Sequence, residues 1–286
     1  MVNSIRFCLI GLLTLIIPGL VSAKELPLTG LDIIDRYLIT QEVLSELAYM
    51  RMSQVEADRS AKHYQVLATF RFNEDASSNY LLRMMEPEEV RSVSLLVKQF
   101  VNGGSQQYLY LPTVGRARPL TGKSKNQKFL GTNFTLADLQ REVPAIHGYE
   151  RQEDTLVFGR ACYQVRAVEK GEDDRPPLYL HRDLHIDQEN YNLLRVDYYN
   201  MDGTMIKQLS LYDYKSPMVR GITKRPHRAV MQNLEDGSTT VFSVIESRID
   251  QAIGAEIFTP DNIETWTEEE IESFVFDYGL NLGTGG

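Results

Sequence analysis

The stretch Tyr108–Leu139, YLYLPTVGRARPLTGKSKNQKFLGTNFTLADL, decides the reading of this chain. It opens as a strand. Side chains alternate along a strand, so Tyr108 and Tyr110 point one way and Leu109 and Leu111 the other. Pro112 lacks the N–H that a ladder needs and ends the pairing. The residues that follow are unusual for a loop: a run of cations that includes Arg116, Arg118, Lys123 and Lys125, three glycines (Gly115, Gly122, Gly131) and two aromatics that a loop would expose (Phe129, Phe134). Thr135 before Leu136-Ala137-Asp138-Leu139 signals a short helix. A long, basic, glycine-hinged segment beside a sheet reads as the rim or lid of a binding surface.

Outward from this block the chain is dominated by period two. Tyr64, Val66, Ala68, Phe70 and Phe72 alternate with Gln65, Leu67, Thr69 and Arg71. Strand patterns continue at about 79–86, 92–101, 106–112, 154–158, 161–168, 178–187, 192–200, 204–214, 227–235 and 238–249. Asn102-Gly103-Gly104, Asp202-Gly203 and Asp236-Gly237 stand where antiparallel hairpins need their turns. One helix precedes the strands: Leu31, Ile33, Ile34, Tyr37, Leu38, Val43, Leu44 and Leu47 fit a helical face, with a break near Thr40. No βαβ alternation and no internal repeat are visible, which disfavours a parallel dinucleotide-binding fold. The pattern is a mainly β (α+β) chain of about eleven antiparallel strands. A sheet of that size curls, either into a closed lipocalin-like barrel or into an open one whose concave face the first helix and the 113–145 segment cover.

The central block, with LLRMMEPEEVRSVSLLVKQF (Leu81–Phe100) upstream and LLRVDYYNMDGTMIKQLSLYDY (Leu193–Tyr214) downstream, resembles the outer-membrane lipoprotein-sorting protein family, the LolA-like periplasmic carriers. The resemblance runs over about Gly30–Pro260. It implies an unclosed β-barrel whose helices cover an apolar cavity, a lipid-like or lipoprotein ligand, and an association with exporters of the resistance-nodulation-division type. The local motifs of the classical lipoprotein chaperone are absent, so none of its binding residues is carried over.

The N-terminus reads as a secretory signal peptide over residues 1–23. Arg6 supplies the positive start, Phe7–Ile17 the apolar core, and Val21-Ser22-Ala23 the small-residue cleavage site. Eleven apolar residues fall short of the roughly 20 that span a bilayer. The expected mature chain begins near Lys24, in the periplasm. Cys8 lies inside the apolar core, which leaves Cys162, a small packing residue in a strand pattern, as the one mature cysteine; no internal disulfide is expected. The formal charge of −9 excludes a general nucleic-acid binder and makes the basic 116–125 stretch stand out. At the other end, Thr267-Glu268-Glu269-Glu270 forms a capping box flanked by Trp266 and Ile271 as a hydrophobic staple. The predicted division is a half-barrel over 24–260 and a C-terminal helix with a flexible tail over 261–286.

Motifs for chemistry are sparse. HRDLHID places His181, Asp183, His185 and Asp187 on one strand face, about 6.6 Å apart in steps of two. That face can be read as metal ligands or as a solvated outer surface opposite Leu178, Leu180, Arg182, Leu184 and Ile186, and the solvated surface is the preferred reading. No nucleophile elbow, zinc-protease helix motif or phosphate-binding loop is present. The chain is therefore expected to be no enzyme, without cofactor or metal, and monomeric. The candidate cavity wall is Val66, Phe70, Leu82, Met84, Leu95, Val97, Leu109 and Leu111, and the candidate mouth or lid is Arg116, Arg118, Lys123, Phe129 and Phe134. The function expected is a carrier or acceptor that sequesters the acyl chains of lipids or lipoproteins. The alternative is a non-enzymatic module that docks on a membrane exporter or envelope assembly.

Overall fold

The computed structural model describes residues 26–121, 124, 126–171, 177–215 and 224–280. The expected signal peptide, Gly122, Lys123, Lys125 and the final Gly-Thr-Gly-Gly lie outside the described residues. Helix α1 (Gly30–Thr40) comes first, followed by strands β1 (Ser45–Val55), β2 (Ala61–Phe72), β3 (Ser78–Glu86), β4 (Ser94–Gln99), β5 (Ser105–Leu111) and β6 (Arg116–Leu120). A second run contains β7 (His147–Arg151), β8 (Thr155–Val157), β9 (Arg160–Glu169), β10 (His181–Asp187), β11 (Leu193–Tyr199), β12 (Met205–Lys215), β13 (Arg225–Asn233) and β14 (Thr239–Ile249). Helices α2 (Pro260–Thr265) and α3 (Glu268–Asp277) close the described chain.

All fourteen strands join one antiparallel sheet, in the order β6-β5-β4-β3-β2-β1-β14-β13-β12-β11-β10-β9-β7, with β8 also paired to β9. Two meanders thus meet where the first strand pairs with the last, from Glu46 opposite Ile249 to Val55 opposite Thr239. The edges β6 and β7 do not pair with each other, so the sheet is curved but not closed into a barrel. The segment from β6 to β7 has to travel from one edge of the sheet to the other, and it does so across the concave face. We call it the strap.

The expected alternation holds where both faces are buried. On β5, Leu109 and Leu111 pack into the inner cluster, while Tyr108 and Tyr110 pack into the outer one. On β2, Tyr64, Val66 and Phe70 face inward and Leu67 outward. Gly103, Gly203 and Gly237 take positive φ at the three predicted turns. The inner layer is completed by Ile33, Ile34, Tyr37 and Leu38 of α1 and by Phe129, Phe134 and Leu136 of the strap. The outer layer is formed by Ile257, Ile263, Trp266, Ile271 and Val275 from the C-terminal segment that holds α2 and α3, set against Leu47, Tyr49, Leu67, Leu81 and Leu96. Thr267 and Glu270 form the predicted capping box at the start of α3. Buried Arg83 donates to the carbonyls of Ile263 (3.1 Å) and Trp266 (2.8 Å) at the end of α2, where a cation suits the helix dipole. No helix among the described residues is long and apolar enough to cross a membrane.

Four expectations need correction. There are fourteen strands rather than about eleven. The first helix stops at Thr40, and Leu47 lies on β1 rather than on a helical face, because residues 45–55 are buried alternately on the two sheet faces. The strands β6 and β7 escaped notice because edge strands are short and carry charges and proline (Arg116, Arg118, Pro119). After Thr135 the cap forms, with Asp138 accepting from the Thr135 N–H (2.7 Å) and hydroxyl (2.8 Å), yet the backbone makes only turns. Asp138 also accepts from Tyr179 and Lys207, which ties it to the sheet.

Gly30, the first residue of α1, sits against the backbone of Tyr149 on β7. A Cβ there would lie 2.9 Å from both the Tyr149 carbonyl carbon and oxygen. Gly30→Ala is expected to push α1 away from the sheet edge and to cost about 1–3 kcal/mol, although alanine is the better helix former. Urea denaturation followed by circular dichroism checks this; an unchanged or raised midpoint would show that the contact relaxes freely.

Candidate functional site

Beneath α1 and the strap the concave face is not filled. A cavity of about 410 Å³ remains, within the roughly 300–1,000 Å³ typical of small-molecule sites. Its apolar wall includes Leu38, Met50, Phe70, Leu82, Leu184, Val196, Leu209 and Leu211. The void follows from the sequence. Ala48 on β1 and Ala68 on β2 are direct cross-strand partners, Ala68 faces Leu82 on β3, and all three border the cavity. Two alanines side by side leave the space that larger residues occupy elsewhere on the same face.

Of the predicted wall residues, Phe70 and Leu82 border the cavity. The other six do not line it: Val66, Met84, Leu95 and Val97 are fully buried in the inner cluster, and Leu109 and Leu111 pack against that cluster. The expected mouth is arranged differently. Arg116 and Arg118 pair with Leu111 and Leu109 on the edge of the sheet, exposed and away from the cavity lining. Phe129 and Phe134 are plugs rather than rim residues: both are buried, and Phe134 meets Phe242 edge-on at 5.3 Å. Lys123 lies outside the described residues. The strap is held down by hydrogen bonds to the sheet. Gln54 donates to the Leu130 carbonyl (2.9 Å), and the Asn133 N–H donates to the Thr240 hydroxyl (2.9 Å).

One end of the cavity is charged, and sequence reasoning missed most of it. Arg182 on β10 donates to both oxygens of Glu142 on the strap, at 2.9 and 3.1 Å. It also donates to His147 Nε2 at 2.9 Å, which places the imidazole proton on Nδ1, toward the Val143 carbonyl. The Tyr149 hydroxyl donates to Glu142 as well. Arg225 on β13 pairs with Glu46 on β1. Arg141 lies over Phe70, its guanidinium carbon 5.2 Å from the ring centre. Burial alone would raise the Glu142 pKa, but the charge of Arg182, the electrostatic influence of His147 and the hydrogen bonds from Arg182 and Tyr149 outweigh it and hold the carboxyl below its ordinary range. Burial keeps His147 below its ordinary value. Only Arg182 announced itself in the sequence, as a charge within the apolar row Leu178, Leu180, Leu184 and Ile186.

The HRDLHID face is also different from expectation. It is not solvated: Asp183, His185 and Asp187 are all buried. Arg166 and Gln164 donate to Asp183, and Arg160 donates to Asp187. His185 sits between the Thr155 hydroxyl (3.1 Å) and Asp197 (2.9 Å), with Arg195 donating to Asp197. Long arginine side chains from the neighbouring strands cover the row, so these residues are engaged with one another. No group of three or more potential metal ligands is found among the described residues. Cys162 is fully buried within β9, as a packing residue would be.

The Arg182–Glu142 pair generates a stability prediction. Arg182→Met leaves a buried carboxylate without its counter-charge and is expected to cost about 3–5 kcal/mol, most of it recovered in Arg182→Met/Glu142→Leu. Both Glu142 and His147 bind protons more weakly in the folded chain than in the unfolded one. Their contribution is therefore complete at neutral pH and is lost on acidification, the His147 part beginning below about pH 6.5 and the Glu142 part below about 4.5. Urea unfolding of the wild type at several pH values should show falling stability. In His147→Gln the loss between about pH 7.5 and 5.5 should shrink; an identical profile would dismiss His147 as a contributor.

Solved structures with this fold support the same architecture. A domain designated an outer membrane lipoprotein-sorting protein, from Vibrio parahaemolyticus, superposes with a TM-score of 0.76 at 20% identity, covering 82% of this chain and 98% of that one. A DUF1329 family protein from Desulfovibrio piger gives 0.75 at 18% identity, covering 82% and 97%. A LolA superfamily protein from Nitrosomonas europaea gives 0.64 at 16% identity, covering 82% and 99%. No curated protein matches the sequence. A family model described as "Uncharacterized protein" matches residues 76–265, more than half of the chain. The chain belongs to the family which that model describes, and it has the LolA-like fold of the outer membrane lipoprotein-sorting proteins.

Proposed function

We propose that this protein is a non-enzymatic carrier or acceptor that sequesters the acyl chain of a lipid or lipoprotein in the cavity beneath α1 and the strap, working in the periplasm after removal of residues 1–23. The observation that carries the reading is the unfilled, apolar-walled volume of about 410 Å³ in an otherwise well-filled inner layer. Each CH₂ that leaves water for such a wall contributes about 0.8 kcal/mol. A chain entering between Phe70, Leu82, Leu184 and Leu209 meets apolar side chains on several strands. Leu38 of α1 and Leu139 of the strap close over it. The designations of the Vibrio and Nitrosomonas proteins agree with such a role. The buried His185 cluster, already saturated with protein partners, gives no support to metal-dependent catalysis.

Native mass spectrometry of the mature protein, with organic extraction of bound material, tests the reading directly. A co-purifying lipid or acylated protein is the expected result. An empty protein that also fails to take up a fluorescent fatty acid would overturn it. Ala68→Phe places a ring in the space over the two alanines. It is expected to weaken uptake of a fluorescent fatty acid by about tenfold or more, and to change stability by less than about 3 kcal/mol. Unimpaired uptake would show that the ligand lies elsewhere.

A further inference from the structure

The charged end of the cavity does not balance. Three guanidinium groups border it, those of Arg141, Arg182 and Arg225. Arg182 is matched by Glu142, and Arg225 by Glu46. The remaining carboxylate in the lining, Asp138, is taken by Lys207. Arg141 has no carboxylate within ion-pairing distance among the described residues. Its guanidinium carbon lies over the rings of Phe70 and Phe72, 5.2 and 5.7 Å from their centres. Exposed Glu42 exerts the weakest of the charge influences on it.

The position of Arg141 is not accidental in the chain. Gln99, at the end of β4, accepts from the Arg141 N–H (3.1 Å) and donates to its carbonyl (2.9 Å), which fixes the backbone from which the side chain extends. Burial and the neighbouring charge of Arg225 lower its pKa, but a guanidinium starts so high that it stays charged. Close by, the Tyr37 hydroxyl lies in the field of all three arginines, and its O–H donates to no acceptor among the described residues. Burial first, and then Glu142, push Tyr37 up to about 12, so at neutral pH it is a neutral donor. A cation in a largely buried wall is costly unless an anion meets it. Here, among the described residues, a cation without a carboxylate partner and an O–H donor without an acceptor border the same apolar-walled cavity.

We propose that Arg141 is the anchor for an anionic head group, a carboxylate or phosphate at the end of an acyl chain, with the Tyr37 hydroxyl as second donor. This rests on the carrier reading and specifies its ligand as an acidic amphiphile with the head at the α1–strap end and the tail toward Ala48 and Ala68. A guanidinium binds either oxyanion through paired N–H donors. The two aromatic faces hold the guanidinium plane without consuming its donors.

The test compares cis-parinaric acid with its methyl ester on the delipidated full mature chain. The wild type should bind the acid about tenfold or more tightly than the ester. Arg141→Gln should weaken the acid by a similar factor, leave the ester within about twofold, and so erase the preference, while Arg141→Lys keeps part of it. Palmitate and palmitoyl lysophosphatidic acid as competitors separate the two head groups, the one that displaces the probe at lower concentration naming the source. Equal binding of acid and ester by the wild type, or equal weakening of both in Arg141→Gln, would overturn the anchor and leave the carrier standing. Failure of the wild type to bind either probe would overturn both.

Discussion

Everything in this molecule depends on the pairing of β1 with β14. The two strands are joined along ten residue pairs, and Asp250 extends the joint by accepting from the Leu44 N–H across 206 positions of the chain. Without it there would be two separate meanders, each with one flat, half-covered sheet. With it, the strands on either side share one continuous curvature, and the inner faces of β2, β3, β10, β11 and β12 come to look at one another across a common space. The register shift at Tyr49/Met50 falls within this joint, where an extra residue tightens the local twist. The strap is a consequence of the same arrangement: with the chain ends in the middle of the sheet, its midpoint has to bridge the two edges.

The two sides of the sheet treat charge differently. On the outer side, the β9–β12 rows form a saturated lattice in which each carboxylate has an arginine or a histidine against it. Such lattices add little net stability, since desolvation offsets the attraction, but they exclude alternatives in which one partner would be left bare. On the inner side the charges are concentrated at one end of an apolar volume, and among the described residues Arg141 has no carboxylate partner. The cavity owes its existence to small and charged residues at inner positions where the alternation would otherwise place large apolar ones: Ala48, Ala68, Arg182 and Arg225.

The sequence was legible where the two faces of a strand differ in kind. Tyr108 to Leu111, Tyr64 to Phe72 and the glycine turns spoke clearly because aromatic or aliphatic periodicity coincided with a turn residue whose φ is positive. It was ambiguous where two periodicities overlap: Val43, Leu44 and Leu47 satisfy a helical face, yet Leu44 is exposed and Leu47 belongs to the outer sheet layer. The Thr135–Asp138 cap is a true local signal, but tertiary bonds from Lys207 and Tyr179 hold those residues against the sheet. The charged end of the cavity was hidden for another reason. Its residues come from β1, the strap, β10 and β13, and no local pattern links segments that meet only after the sheet has curved.

The central position of β1 has a consequence for how the protein is made. Chains are synthesised from the N-terminus, so β1 through β6 are complete long before β14 exists. For that interval β1 is an open edge, eleven residues long, with its backbone donors and acceptors available to any other chain. The permanent edges β6 and β7 are only five residues each, and β6 carries two arginines and a proline. The finished molecule shows a polite exterior, and its most adhesive strand is the one that waits longest for its partner. A nascent chain stalled before residue 239 is thus the form of this protein most prone to aggregate.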